Sequence, residues 1–446
     1  MPRPARLRFT LAVLLAAACL SCHRAPPRPR NVIFILVDTL RADRLGTYGY
    51  GRDTSPNLDA FARQAVTFEN ARSQASCTFP SVNSILTSRG PAAFLGQPDQ
   101  AMGIPQSIPS LAEILRAHGF HTAAVSASPV VRSRPSRFNP TGGFGRGFDV
   151  FRQDCVWRPG ACVNREALEL LKLERRPLFL YLHYIDPHGA YQPPPSWHRK
   201  FALGRPEKDW VRKGDPNPIA DWLYKGEPNP GFTPADLRFL QDLYDEEIAY
   251  FDVRFARLLA SLRAKGRLDD SIVVFAADHG EEFLEHGQMK HCRTLFDSSI
   301  RVPLILKIPG AGARTISQPV QNLDIVPTIL DYLGIQADSR FEGRSLRPLI
   351  EKDSAAAELQ YGLQGALRSA SDGRFKLVED LASGAVSLFD LAADPGETTD
   401  VLRRERRAYA RLRGSLTAWV ARDEGPDGVQ KAREAEERLR SLGYLE

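Results

Sequence analysis

Apolar, β-branched runs alternate along this chain with segments of helical period. Strand-like runs occupy Asn31–Val37, Thr122–Ser126, Leu178–Tyr184, Ser271–Ala276 and Val302–Lys307. Several are apolar at successive positions, the pattern of parallel strands covered on both faces. Between them lie helices with readable ends. Ser110 and Glu113 make a capping box before LAEILRAHGF, which Gly119 ends; Thr233-Pro234 with Asp236 opens a long helix to about Lys265, stopped by Gly266; a third runs from Asp324 to Leu333 and closes at Gly334. This alternation predicts an α/β fold, a mostly parallel sheet sandwiched by helices. From about residue 360 the texture changes to short strands (Phe375–Glu379, Val386–Asp390) followed by two charged amphipathic helices, which predicts a smaller C-terminal α+β subdomain. One irregular insertion, rich in Pro, Trp and Lys, covers roughly Gln192–Phe232.

Composition narrows the class. The chain has 446 residues, 43% apolar and 25% charged, an ordinary globular profile that excludes disordered, collagen-like and multi-span membrane proteins. Its net charge of +6 is unevenly placed. Arg3, Arg6, Arg8, Arg24, Arg28 and Arg30 supply all of it, leaving 53 basic and 53 acidic residues in the remainder. A pI near 9 therefore does not signal nucleic-acid binding, because the excess lies in a leader. That leader has a basic start, an apolar run from Phe9 to Leu20 and then Ser21-Cys22, the layout of a secretory signal. The run is shorter than the roughly 20 residues a membrane-spanning helix needs. Cys19 after three alanines, or Cys22 after Leu20-Ser21, resembles a bacterial lipobox. The expected organisation is a signal peptide or lipobox over 1–22, a Pro/Arg tether over 23–30, a catalytic domain over 31–355 and the C-terminal subdomain over 356–446. The expected location is the bacterial cell envelope, with a lipid anchor to a membrane. Such an exported chain is permitted disulfides. Cys155 and Cys162 flank a short loop and form the readier pair, with Cys77 and Cys292 left over.

Chemistry gathers where strands end. In an open α/β sheet, functional groups collect beyond the carboxyl ends of the strands. The run NVIFILVD delivers Asp38 there, and SIVVFAADHG delivers Asp278 and His279. Buried carboxylates need a cation or several hydrogen bonds, and two of them beside an imidazole make a metal site. In SCTFPSVNSILT, Pro80 reads as a first-turn helix residue, which puts Thr78 at a helix start where free N–H groups favour an anion. Taken alone, Thr78 is also explained as a helix cap. Beside a divalent cation its hydroxyl becomes a candidate nucleophile. There is no G-x-S-x-G elbow, H-E-x-x-H pair or Walker loop to support another catalytic class.

The stretches VDTLRADRLGTYGY (37–50), CTFPSVNSILTSR (77–89), LFLYLHYIDPHGAYQPP (178–194), ADHGEEFLEHG (277–287) and HCRTLFDSSIRVPLIL (291–306) together resemble the sulfatase family of the alkaline phosphatase superfamily. The resemblance implies a metal-dependent hydrolase that cleaves sulfate or phosphate esters through a covalent intermediate. It implies Asp38, Asp278, His279 and the Thr78 hydroxyl as metal ligands. His183, His188, Lys290 and His291 fall at positions that hold the ester oxygens or protonate the leaving group, and Arg41 at a polar position near the first ligand.

Departures from the family pattern set the subclass. Formylglycine sulfatases carry Cys-x-Pro-x-Arg; here Thr78 stands two residues before Pro80, Cys77 is one place early, and Val82 replaces the final Arg. The nucleophile is therefore expected to be Thr78, unmodified. A nitrogen ligand, His279, favours Mn²⁺, Zn²⁺ or Fe²⁺ over Ca²⁺ or Mg²⁺. A Thr nucleophile with Asp and His ligands is similar to the phosphoglycerol and phosphoethanolamine transferases, and phosphonate and phosphodiester hydrolases share the Asp-His pair. The remaining alternative is a non-catalytic envelope binding lipoprotein. Cys292 takes the place of a family Gly after His291, and with both cysteines expected near the metal, either a Cys77–Cys292 disulfide or an unusual thiol pair is expected at the rim of the site.

Overall fold

The computed structural model describes residues 29–94, 103–172, 177–197, 200–352 and 358–423. The leader over 1–22 and the second expected C-terminal helix lie outside these residues. Among the described residues no helix is long and apolar enough to cross a membrane.

An eight-stranded sheet forms the centre. Asn31–Val37 lies between Leu178–Tyr184 and Ser271–Ala277, parallel to both. His121–Ser126 and Val150–Arg152 extend the parallel array on one side. On the other, Leu304–Lys307 runs antiparallel before Val66–Phe68 and Arg314–Ile316 complete the edge. The three central strands are buried along their full length because helices cover both faces. Val32, Phe34 and Leu36 point into one apolar core with Val82, Ile85 and Leu86 of the helix Thr78–Thr87. Ile33, Ile35 and Val37 point into the other, against Leu243, Phe251 and Phe255 of the helix Pro234–Ala264.

Helix ends follow the sequence signals closely. Both capping boxes form, Ser110 with Glu113 and Thr233 with Asp236. The segment after Asp324 is helical over Ile325–Leu333 and closes on Gly334 with φ +69°. The strands Val66–Phe68, Val150–Arg152 and Arg314–Ile316, three residues each, carry too little periodicity to be seen in sequence. The 192–232 insertion holds two short helices, Asp209–Arg212 and Asn217–Lys225.

The small C-terminal subdomain is a four-stranded antiparallel sheet, Gln360–Gln364, Leu367–Ser371, Phe375–Asp380 and Val386–Asp390, packed on the helix Arg406–Asp423. A buried charge cluster joins it to the main body. Lys376 Nζ lies 2.8 Å from Asp297 and 2.8 Å from Glu397, while Arg72 pairs with Asp297 at 2.7 Å. Removing one member of a buried ion group strands the others. Lys376→Met is therefore expected to cost about 3–5 kcal/mol, read as a lowered denaturant midpoint with the central sheet still formed.

Candidate active site

Three strand ends converge on one point. Asp38 follows the central strand, Asp278-His279 follows its neighbour Ser271–Ala277, and His183 lies near the end of Leu178–Tyr184. One ligand atom each from Asp38, Asp278 and His279 lies within 4.8 Å of the others. His279 Nδ1 is 2.9 Å from the Gly280 carbonyl, which assigns the ring proton to Nδ1 and turns the Nε2 lone pair toward the carboxylates. His279 Nε2 is 3.5 Å from Asp278 Oδ2 and 3.8 Å from Asp38 Oδ1. His183 Nε2 stands 3.4 Å from Asp38 Oδ2, and its Nδ1 is 3.1 Å from the Tyr181 hydroxyl.

Local strain and close packing hold this arrangement. Thr39 adopts φ +55°, unfavourable for a β-branched residue, and its N–H donates to Asp278 Oδ1 at 3.2 Å. The Tyr244 hydroxyl donates to the Thr39 carbonyl at 2.7 Å and accepts the Arg41 N–H at 3.0 Å, fixing the turn after Asp38. Gly280 must be glycine because a Cβ there would lie 2.0 Å from the Ser298 carbonyl oxygen.

The electrostatics of the cluster suit a cation. Asp38 Oδ1 and Asp278 Oδ2 are buried without hydrogen-bond partners, an arrangement costly unless a positive charge faces them. Burial and the neighbouring Asp38 push Asp278 up to about 6. Burial pushes Asp38 the same way, but His183, His188 and His279 more than offset it and hold that carboxyl well below its ordinary range. Two acceptor oxygens and an imidazole nitrogen, all buried, form a donor set that fits a borderline divalent ion.

Thr78 is the first residue of the helix Thr78–Thr87, and its Oγ1 is 3.1 Å from His279 Nε2. It faces a cavity of about 370 Å³ whose walls include His188, Asn217, Lys290 and His291. Cys77 and Cys292 are disulfide-bonded with Cα atoms 4.6 Å apart, so the predicted pair forms and lines the cavity beside Thr78. Cys155 and Cys162 form the second disulfide. Lys290 Nζ reaches Asn217 Oδ1 at 3.0 Å. His291 Nδ1 lies 2.9 Å from Glu281 Oε1, and the His188 and His291 rings sit edge to face with centroids 5.0 Å apart.

Burial pushes His188 down to about 4, so its imidazole is neutral at pH 7. A histidine whose folded value is depressed binds its proton first in the unfolded chain. Stability should therefore fall as the pH drops from about 6.5 toward 4, by on the order of 1–2 kcal/mol between pH 7 and pH 5 for this residue. The slope of melting temperature against pH in chelator-treated protein should be shallower in His188→Gln than in the wild type.

Not every sequence candidate lies at the cavity. His183 is grouped with the carboxylates rather than with the cavity wall. Arg41 is turned to Asp43 at 2.7 Å, to Glu285 and to the Glu281 carbonyl, and it does not line the cavity. The structure adds groups that sequence reasoning missed. Glu281 supports His291, Tyr181 supports His183 and Tyr244 fixes the Asp38 turn. Glu281 had one available signal, its place directly after Asp-His-Gly; the tyrosines are indistinguishable in sequence from core aromatics.

Residues 30–335 match the sulfatase family model. The chain belongs to the sulfatase family. Residues 284–422 match a second model, the C-terminal part of N-sulphoglucosamine sulphohydrolase. Among curated relatives, the choline-sulfatase of Rhizobium meliloti (strain 1021) is 26% identical over 84% of this chain and 83% of its own length. The arylsulfatase of Clostridium perfringens (strain 13 / Type A) is 24% identical over 84% of this chain and 90% of its own. Among solved structures, the phosphonate monoester hydrolase of Silicibacter pomeroyi superposes with a TM-score of 0.71 at 21% identity, covering 89% of this chain and 96% of that one. A protein in complex with its substrate D-glucosamine-2-N,6-O-disulfate gives 0.72 at 20%, covering 91% and 100%. This sulfatase-family chain is thus a member of a family of sulfuric ester hydrolases. Enzymes of that family use a divalent metal ion, and Asp38, Asp278 and His279 form a group able to hold one.

Proposed function

We propose that this protein hydrolyses an anionic sulfate or phosphate ester through a covalent ester on Thr78. The observation that carries the reading is the placement of Thr78 Oγ1, 3.1 Å from His279 Nε2, at the start of a buried helix and at the mouth of the carboxylate cluster. Asp38, Asp278, His279 and the Thr78 hydroxyl would hold a divalent ion, with Mn²⁺, Zn²⁺ or Fe²⁺ favoured by the imidazole. When bound, the ion supplies Lewis-acid chemistry: it lowers the hydroxyl's pKa and offsets the charge of the ester.

The chain's own groups then have distinct tasks. Thr78 Oγ attacks the sulfur or phosphorus and the bond to the leaving oxygen breaks. The hydroxyl proton passes to a neutral imidazole of the cavity wall, His188 or His291, and the leaving oxygen takes a proton from that wall, where Lys290 stands toward the ester's charge. Water attacks the Thr78 ester in the second half, releasing the inorganic anion and restoring the hydroxyl. His183 positions Asp38, and Arg41 holds the loop of Glu281 and Glu285 in place. The turn after Asp38, fixed by Tyr244 and strained at Thr39, keeps the oxygens aimed before substrate arrives, which limits reorganisation during the reaction.

A second reading, transfer or hydrolysis at phosphorus in phosphonate monoesters and phosphodiesters, draws on the threonine itself. An ester on an unmodified hydroxyl is opened by a second attack at the central atom, the two-step displacement of nucleophilic catalysis. Residues 31–355 are assigned the catalytic role, with 356–446 as the companion subdomain. The leader over 1–22 and tether over 23–30 are assigned to export and a lipid anchor in the cell envelope.

The test is metal content together with turnover on a panel of aryl sulfates, phosphodiesters and phosphonate monoesters. Rapid acid quench and peptide mass analysis should find sulfate or phosphate on the peptide containing Thr78. A modified Cys77, or turnover by metal-free protein, would overturn the reading.

A further inference from the structure

Beyond the reacting centre, one wall of the cavity is built from Pro129, Val130, Phe138 and Trp157. Trp157 is unusual in several independent respects. It is 46% exposed, one of two large apolar side chains so exposed among the described residues. Its φ is +55°, a conformation that costs a bulky residue energy and persists only where the surroundings enforce it. The enforcement is visible. The Cys155–Cys162 disulfide closes the loop on either side of it, and the Trp157 N–H donates to the Ala127 carbonyl at 3.1 Å, just past the end of the strand His121–Ser126. The Arg158 N–H donates to the Cys155 carbonyl at 2.8 Å, tightening the turn. The indole stands edge-on to Phe138, centroids 6.1 Å apart, and 5.2 Å from the His188 ring.

A strained, stapled loop that holds a large ring half in water over a cavity has no packing explanation, since burying that ring would stabilise the fold more. We propose that Trp157 is the specificity-determining surface for the ester's leaving group, and that it selects an uncharged, planar ring. This rests on the reading of the cavity as an ester site. Among the described residues none that lines the cavity is a carboxylate, and Lys290 adds positive charge, so a cationic leaving group laid on this wall would meet no counter-ion there. A small aliphatic group would leave the indole exposed. A flat ring laid on Trp157 with its edge toward Phe138 covers apolar surface on both partners and gains the geometry that aromatic pairs prefer.

Sulfonates test this without turnover, because their C–S bond is not an ester. Calorimetric titration of the full-length, metal-loaded protein should give naphthalene-2-sulfonate an affinity about tenfold above methanesulfonate, with 2-(trimethylammonio)ethanesulfonate near methanesulfonate. In Trp157→Ala the gap should close to about twofold, while Trp157→Phe keeps part of it. Cys155→Ser/Cys162→Ser, which frees the loop but leaves the indole, should lose the preference as Trp157→Ala does. An unchanged ratio in Trp157→Ala overturns the proposal, as does a Trp157-dependent gain for the trimethylammonio probe equal to that of the naphthyl probe. Should Trp157→Ala not fold, Trp157→Phe and the double serine variant decide by the same ratio. A ring preference that depends on Trp157, without ester turnover on any substrate, would keep Trp157 as a ring-binding wall and overturn the ester reading on which its leaving-group role rests; turnover without ring preference would overturn this inference alone.

Discussion

Thr78→Ala is expected to lower kcat by about 10³-fold or more on whichever ester the protein turns over, assayed at saturating metal, with the fold nearly unchanged and the ion held more weakly for want of one ligand. The reason is positional. Thr78 is the first residue inside the helix, and Cys77, not Thr78, occupies the capping position. The substitution therefore removes a hydroxyl 3.1 Å from His279 without removing a helix cap. Circular dichroism and melting temperature should match the wild type while burst-phase labelling of the peptide disappears. Thr78→Ser keeps the nucleophilic oxygen and should recover a measurable share of activity. Cys77→Ala is the informative control. It breaks the disulfide to Cys292 and loosens the cavity rim, so a loss of up to about tenfold fits a supporting role. Loss of all activity in Cys77→Ala, with activity surviving Thr78→Ala, would move the nucleophile to Cys77.

Asp278→Asn should remove both the bound metal and turnover, by about 10³-fold in kcat/KM or more, and yet raise the stability of the chelator-treated protein. The sign follows from burial. Asp278 is fully buried, its Oδ2 has no hydrogen-bond partner, and Asp38 lies close by. Without a cation, two like charges in a dry site oppose folding, and an amide of the same shape relieves one of them by about 1–3 kcal/mol. With the metal present the order should reverse, because the wild type gains the binding free energy that the variant cannot. Metal analysis, steady-state kinetics and melting curves with and without chelator separate these outcomes. A variant less stable than the wild type in both conditions would show that Asp278 serves the fold rather than a cation.

The two kinds of signal behind these expectations differ in range. Asp38 and Asp278 were legible because each follows an apolar strand whose period and length are local properties. The ends of the long helices were legible for the same reason, since a cap depends on residues three apart, as with Ser110 and Glu113 or Thr233 and Asp236. Trp157 was not legible. Its role depends on a positive φ and on a wall formed with Phe138, nineteen positions earlier in the chain, and nothing in the local composition distinguishes it from a core aromatic. Glu281, Tyr181 and Tyr244 were missed for a related reason. Their partners, His291, His183 and Thr39, are chosen by loop geometry.

The sequence by itself determined the α/β class, the strand ends that carry the carboxylates and the helix start at Thr78. These are set by spacing along the chain, and side-chain period and capping act over only a few residues. Tertiary structure decided which groups meet. It closed Cys77 onto Cys292 across 215 positions, turned Arg41 toward Asp43 and Glu285, placed His183 behind Asp38 and raised Trp157 over the cavity. Those choices depend on the packing of distant loops against a common sheet edge, where a few ångströms separate a residue that faces the reacting centre from one that supports it.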